Sequence, residues 1–130
     1  MAGFLENAIS EVYTDFVKQS ASPQVASYTI ATLQKIQNPK STKFIETAKK
    51  FKKEWATQLD AFFKEDESRK TAIDSIMNNR NNIAHGKNSS ISVIQVKNYL
   101  EKSIEVIEFI EKQCNGNNYD NIACNTLNPL

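Results

Sequence analysis

Apolar residues recur every three or four positions along most of this chain, and this period constrains its fold more than any other feature. It is the pattern of helices that each bury one face, and no segment sustains the every-second-residue alternation of a half-buried strand. The 130 residues include only three glycines and three prolines, too few for the many turns of a β-sandwich or barrel. The sequence therefore predicts an all-α fold, an up-and-down bundle of four to five helices.

Three of the five periodic segments lie in the first half of the chain. The first runs from Phe4 to Val17. The second begins at Pro23, with Ser22 as its N-cap, and stops before Asn38-Pro39, because the residue before a proline disfavours the helical conformation. The third keeps one apolar face over residues 41–63, so a single helix is predicted there.

The two remaining segments lie on either side of Gly86. The fourth begins around residues 65–68 and is predicted to end at Gly86, because glycine commonly follows the last turn of a helix. The fifth has the clearest start, a capping box formed by Ser92 and Gln95. Its predicted apolar stripe consists of Val93, Val96, Tyr99, Leu100, Ile104, Ile107 and Ile110. Together the five segments predict one helical domain over residues 1–113.

Residues 114–130 are rich in asparagine and lack a helical period, so a flexible or loosely docked tail is predicted there. Both cysteines, Cys114 and Cys124, fall within it. Because the N-terminal residues lack the basic start of a secretory signal, we expect these thiols to be reduced and the protein to be cytoplasmic. No stretch approaches the roughly twenty apolar residues that cross a bilayer, so no membrane association is expected.

Charge is distributed unevenly, although the chain as a whole carries only +1. Residues 39–64 hold seven lysines against three acids, and the lysine run at their centre consists of Lys49, Lys50, Lys52 and Lys53. A solvated helix face is the favoured interpretation of this run. The alternative is a track for the backbone of RNA, which is a polyanion. The glutamates of the last segment, among them Glu105, are likewise interpreted as solvated surface.

Chemistry is concentrated in one short window, residues 78–86. Four asparagines surround Arg80, one of only two arginines, and the window contains the sole histidine, His85. Asparagine disfavours helices, and such a local conflict often marks a functional site, although a fraying helix end also tolerates it. On a regular helix Asn81 and His85 share a face, whereas Arg80 and His85 do not. Arg80 would therefore not readily approach the histidine of its own chain.

Two copies of the chain offer a different arrangement of this window. If the two helix ends face each other, Arg80 of one copy can approach His85 of the other. Cleavage of RNA through the ribose 2′-hydroxyl needs a base, an acid and a group that stabilises the charge on the phosphorane. Imidazoles suit the first two roles and guanidinium suits the third. A lone histidine near a helix end is more often a surface or capping residue, so the residues alone leave both interpretations open.

The segment from Arg80 to His85 resembles the R-x4-to-6-H signature of the HEPN superfamily. Its surroundings, NRNNIAHGKNSS followed by SVIQVKNYLEKSIEVIEFIE, are similar to the RiboL-PSP-HEPN type, and this resemblance covers roughly residues 42–112. It implies a small helical homodimer with metal-independent RNA endonuclease activity. Arg80 and His85 would be catalytic, and Asn81 would position the scissile phosphate. Some relatives carry a tyrosine two residues after the histidine that an antitoxin modifies; this chain has Lys87 there, which does not support that control.

The resemblance also implies a biological setting and a set of partners. Such domains serve in toxin–antitoxin, phage-defence and RNA-processing systems, so the expected partners are RNA, a second copy of the chain and an antitoxin or another defence protein. No cofactor or metal is expected, because one histidine with two cysteines ten residues apart does not supply a zinc site. A non-catalytic HEPN module that binds RNA or a partner protein is the alternative, and an unrelated helical interaction protein is the third hypothesis.

Aromatic residues are a possible but disfavoured platform for stacking RNA bases. Their spacing follows the helical stripe, so they are predicted to lie in the core instead. These residues are Phe44, Phe51, Trp55, Phe62 and Phe63.

Overall fold

The computed structural model describes residues 2–79 and 92–116, and within these ranges it contains six helices and no strand. The helices are α1 (Ala2–Ser20), α2 (Pro23–Leu33), α3 (Ser41–Phe51), α4 (Lys53–Glu65), α5 (Glu67–Asn78) and α6 (Val93–Cys114). The predicted all-α class is confirmed. The predicted tail lies outside the described residues from position 117 onwards.

Contacts between the helices fix the relative directions of several of them. The backbone N–H of Asn38, just before α3, donates to the Glu6 carboxylate near the start of α1 over 3.2 Å. Phe51, at the end of α3, stacks on Tyr13 further along α1, so α1 and α3 run in the same direction. Gln113, near the end of α6, donates to the backbone carbonyl of Trp55, near the start of α4, so these two helices are antiparallel.

One apolar core lies along the axis of this bundle, and each of the helices except α2 contributes fully buried side chains to it. The largest are Leu5, Ile9, Tyr13, Phe44, Leu59, Phe63, Ile73, Ile76, Val106 and Ile110. Phe44, Trp55 and Phe63 are buried, while Phe51 and Phe62 are partly buried and pack against the core. The prediction that the aromatic residues belong to the core is confirmed.

The predicted single helix over residues 41–63 is wrong, because the chain breaks at Lys52 into α3 and α4. Lys52 is extended, with φ −159° and ψ 127°. Its N–H still bonds to Ala48, and its carbonyl accepts the N–H groups of Trp55 and Ala56, so the backbone groups at the break remain paired. The break lets Trp55 pack edge-on against Phe16 of α1, with 5.1 Å between ring centroids. No glycine or proline marks it in the sequence.

Helix α5 starts where it was predicted to start but ends earlier. Asp66 is its N-cap, and the last helical residue is Asn78, not a residue next to Gly86. At the end of the helix, the side-chain amide and the backbone N–H of Asn79 both donate to the carbonyl of Ser75, at 2.8 and 3.0 Å. The side chain of Asn79 therefore forms a hydrogen bond with a carbonyl at the helix end. Such bonds between an asparagine side chain and the backbone compete with continuation of the helix. Gly86 itself lies outside the described residues.

The start of α6 is confirmed, while its predicted apolar stripe is partly wrong. Ser92 and Gln95 form both hydrogen bonds of the capping box, at 3.0 and 3.1 Å. The buried positions of the helix are Ser103, Val106, Phe109, Ile110 and Gln113. Ile104 and Ile107 are only half-buried, and Val93 and Ile94 are exposed. The face that packs is thus rotated away from the predicted stripe, because α5 and α1, its main neighbours, decide which side is covered.

Candidate functional site

The predicted catalytic residues Arg80, Asn81 and His85 lie outside the described residues. The structure places the two points between which they are connected: Asn79 after the last turn of α5 and Ser92 before the first turn of α6. Helix α5 leads from Arg69, which bonds to Glu105, to Asp74, which bonds to Ser41 at the start of α3. Because the end of α3 lies with Trp55 and Gln113 near the end of α6, α5 and α6 are antiparallel. Asn79 and Ser92 therefore lie at the same end of the bundle.

Arg69 connects the start of α5 to α6 through an ion pair with Glu105. Its Nε donates to a carboxylate oxygen of Glu105 at 3.1 Å, and its Nη1 donates to the backbone carbonyl of Phe62 at 2.9 Å. The guanidinium carbon lies 3.7 Å from the centre of the Phe62 ring, within the range of a cation–π contact. Only 14% of the side chain is exposed. This arginine is thus held by structural contacts, and Glu105 is an ion-pair partner, not solvated surface.

Asp66 and Lys102 extend this contact to the junction of α4 and α5. Lys102 donates to Asp66 at 2.9 Å and lies 3.3 Å from a Glu105 oxygen. Hydrogen bonds from Ser68 and then from Lys102 hold the pKa of Asp66 well below its usual range. The bonds to Asp66 and Glu105 in turn raise the pKa of Lys102. We call Asp66, Arg69, Lys102 and Glu105 the charged joint.

A second carboxylate ties α3 to α5. Asp74 accepts the backbone N–H of Ser41 at 2.8 Å and its hydroxyl at 3.0 Å, and Ser41 is buried. A carboxylate at this position satisfies an N–H group that a helix start leaves unpaired, and it interacts favourably with the helix dipole. Together with the charged joint, this contact fixes α5 against two neighbouring helices.

The lysine run lies at the opposite end of the bundle from the ends of the 80–91 segment. Lys49, Lys50, Lys52 and Lys53 are exposed at the junction of α3 and α4. That junction is next to Trp55, which contacts Gln113. Ser92 stands at the other end of α6, about 30 Å from Gln113 at roughly 1.5 Å per helical residue. Within one chain, the structure therefore separates the lysines from Asn79 and Ser92, the described residues on either side of the 80–91 segment. Their exposure is compatible with a solvated face and with an RNA contact.

Two large apolar side chains are exposed beside the predicted catalytic window. Val93 and Ile94, in the first turn of α6, are 86% and 76% exposed. Neighbouring exposed apolar residues of this size are typical of surfaces that contact another molecule. The sequence analysis missed this property because it assigned Val93 to the buried stripe.

The charged joint was also missed by the sequence analysis. Asp66 stands two residues before Ser68, a local signal of a helix N-cap, and could have been identified. Arg69 and Glu105 are 36 positions apart, and no local pattern indicates that they pair.

The described part of the chain contains neither a cluster of metal ligands nor a membrane-spanning helix. Within 2–79 and 92–116, no three His, Cys, Asp or Glu side chains are grouped so that they could hold a metal ion. No helix in the described part of the chain is both long and apolar enough to cross a membrane.

Comparison with known families gives one match that covers most of the chain. The family model of RiboL-PSP-HEPN matches residues 1–116. The match spans all six helices and the window with Arg80, Asn81 and His85, and it extends the resemblance noted from residues 42–112 to the N-terminal helices. No curated protein and no solved structure matches the chain.

The charged joint makes the stability of the bundle dependent on pH, and Asp66→Asn isolates the part due to charge. Asparagine still accepts the capping bond from Ser68 but carries no charge for Lys102. Because the pKa of Asp66 is lowered on folding, its contribution is complete above the unfolded-state pKa of about 4 and is lost as the pH falls below it. In thermal melts, Asp66→Asn should therefore be less stable than the wild type at neutral pH and approach it in acid.

Asp60→Asn is the matched control, because Asp60 pairs with Lys64 only on the exposed surface of α4. This variant should melt close to the wild type at every pH. If the melting temperature of Asp66→Asn is lower than that of the wild type by the same amount at every pH, the ionic role of Asp66 is contradicted and only its capping role remains.

Proposed function

Because the chain belongs to the RiboL-PSP-HEPN family, we propose that it is a metal-independent RNA endonuclease in which Arg80 and His85 are catalytic. Domains of the HEPN group are nucleases or RNA-binding modules, and family membership by itself supports this general function. The observation that carries the finer proposal is that the matched region contains both the arginine and the histidine of the R-x4-H signature. A module without catalysis has no chemical reason to keep both.

The proposed reaction is an attack of the ribose 2′-oxygen on the adjacent phosphorus. A neutral imidazole takes the proton of the 2′-hydroxyl, the bond from phosphorus to the 5′-oxygen breaks, and an imidazolium returns a proton to that oxygen. The products are a 2′,3′-cyclic phosphate and a 5′-hydroxyl. The Arg80 guanidinium stabilises the charge on the phosphorane, and the Asn81 amide positions the phosphate. The atoms, protons and electrons of this reaction balance without an oxidant, a metal ion or a cofactor.

The same proposal includes a two-fold homodimer with the Arg80–His85 windows facing each other. The chain has one histidine, so a site that uses separate imidazoles as acid and base takes the second from another copy. The exposed Val93 and Ile94 support such a contact, because they lie in the first turn of α6, shortly after the window in sequence, and become buried if a second copy packs there. A two-fold axis near these residues pairs the same surface on both copies.

The lysine run fits this enzyme as a contact for RNA away from the cleaved bond. It lies about 30 Å from the start of α6, which follows the 80–91 segment, because a helix rises roughly 1.5 Å per residue. Within a protomer, its charges therefore act on binding and not on the transition state. We place the enzyme in the cytoplasm as a toxin or phage-defence effector, with an antitoxin or another defence protein as its partner.

Cleavage of RNA in the presence of EDTA tests the catalytic proposal. His85→Ala should remove cleavage while the helical circular dichroism is retained, and the loss should be about a hundred- to ten-thousand-fold, which is typical of general acid–base catalysis. Arg80→Lys should not restore full activity, because ammonium cannot make the two-pronged contact that guanidinium makes with phosphate.

Arg69→Lys is the matched control for the arginine, since Arg69 is held by structural contacts at the charged joint. It should lower the melting temperature and, at temperatures where the protein is folded, reduce cleavage much less than Arg80→Lys does. If His85→Ala cleaves RNA as fast as the wild type, the enzyme proposal is wrong and the non-catalytic HEPN module replaces it.

The proposed dimer is tested by Ile94→Asp. A carboxylate buried between two copies loses its hydration without gaining a partner, so this variant should shift sedimentation towards the monomer. The monomer itself should keep its fold, because an acidic residue in the first turn of α6 interacts favourably with the helix dipole. Val25→Asp, at an exposed apolar position of α2, is the control and should leave the association unchanged. A wild type that stays monomeric throughout a concentration series excludes the dimer.

The RNA contact of the lysine run is tested by the salt dependence of binding. In a cleavage-defective background, Lys49→Gln with Lys50→Gln should weaken RNA binding and flatten its dependence on salt by about one slope unit per contact removed. Lys70→Gln with Lys112→Gln removes the same charge from exposed positions on α5 and α6 and should have a smaller effect. Equal effects of the two pairs would assign the run to a solvated face.

A further inference from the structure

A groove of about 420 Å³ runs between α1 and the C-terminal half of α6. Apolar side chains line it, including Val12 and Phe16 of α1 and Ile107 of α6, and Phe4 at its far end is 47% exposed. The carboxylates among its lining residues are Glu11, Asp15 and Glu111. This combination does not suit RNA, because the acids repel phosphate, but it suits a segment with apolar side chains, hydrogen-bond donors and little charge.

The chain leaves α6 at one end of this groove. Cys114 and Asn115 line it, and the next residue, Gly116, has a φ of +70°. This left-handed conformation, with the Gly116 N–H bonded to the Gln113 carbonyl at 3.3 Å, is a common way to end a helix and takes the chain off the helix axis. Gly116, the last described residue, therefore stands directly after the two groove-lining residues Cys114 and Asn115.

Residues 117–130 are long enough to occupy the groove. Its lining residues on α1 extend from Gln19 back to Phe4, which is about 22 Å at roughly 1.5 Å per helical residue. The segment after Gly116 reaches about 45 Å if extended, at roughly 3.3 Å per residue. If it were helical it would reach about 21 Å, which covers nearly the whole groove.

The composition of this segment complements the lining of the groove. It contains no lysine or arginine and one acid, Asp120, with five asparagines whose amides can donate to the three carboxylates. Its apolar residues are Tyr119, Ile122, Ala123, Leu127, Pro129 and Leu130. We propose that residues 117–130 dock onto their own chain in the groove between α1 and α6. Docking covers Phe4 and Cys114 and binds the last helix to the first, independently of any ribonuclease activity.

A spin label on Cys124 shows where the segment lies. In the full-length Cys114→Ser chain, Cys124 is the only thiol, and a nitroxide on it should weaken the amide resonances of Glu11, Val12 and Asp15. The amides of Ser27 and Ala31 on α2, which line a different surface, should keep their intensity. Ile122→Ser with Leu127→Ser, which removes two apolar contacts, should restore the α1 resonances.

Three results of this experiment would overturn the proposal. They are the absence of any weakened resonance on α1, a loss of intensity confined to α2, and an effect that survives Ile122→Ser with Leu127→Ser. A mixture of spin-labelled chains and isotope-labelled chains without the nitroxide tests the alternative of a partner's segment. Loss of α1 intensity in that mixture would show docking between copies and also overturn docking within one chain.

The reactivity of Cys114 gives a second measurement without a spin label. Burial and then Glu111 raise the pKa of this thiol to about 12, so its labelling by an uncharged maleimide is followed at alkaline pH. In the full-length Cys124→Ser chain, Ile122→Ser with Leu127→Ser should accelerate labelling about tenfold, which corresponds to ~1.4 kcal/mol of docking free energy. Equal rates with and without these substitutions would show that the segment does not cover Cys114. Circular dichroism confirms that the compared chains are equally folded.

Discussion

The position of α5 on α6 depends on one paired charge, the guanidinium of Arg69. It is mostly buried, so it must be balanced, and Glu105, the Phe62 carbonyl and the Phe62 ring together do this. If one partner is removed, a buried charge is left unpaired, and the fold loses several kcal/mol of stability. This loss is larger than the net stability that the intact pair adds over apolar residues of the same size. Because α5 and α6 carry the two ends of the 80–91 segment, the frame of the candidate active site follows from this contact.

The bundle separates its distinctive surfaces along its length. The lysine run lies at the end where α3 turns into α4, whereas Asn79 and Ser92 lie at the other end with the exposed Val93 and Ile94. The 22-residue helix α6, which extends from one end to the other, sets this separation. The exposed lysines and the two ends of the 80–91 segment are therefore found at different ends of the chain.

The first and last helices meet along a surface that the bundle itself leaves open. Helix α1 buries Leu5, Ile9 and Tyr13 on its inner face, while Phe4, Ala8 and Val12 line the groove beside α6. The groove is apolar and acidic, whereas the lysine run is basic, so the two surfaces suit different occupants. An asparagine-rich segment with one charged side chain suits the first, and a polyanion suits the second.

Local patterns in the sequence determined most of the fold. They include the helical periods, the N-cap position of Ser22, the capping box of Ser92 and the core aromatic residues. The R-x4-H signature of the candidate site is also a local pattern. Interactions between distant residues decided the break at Lys52, the buried face of α6 and the pairing of Arg69 with Glu105. The physical reason is range: capping and periodicity act within a few residues, whereas a helix break or an ion pair depends on which helix packs alongside, and only the tertiary structure decides that.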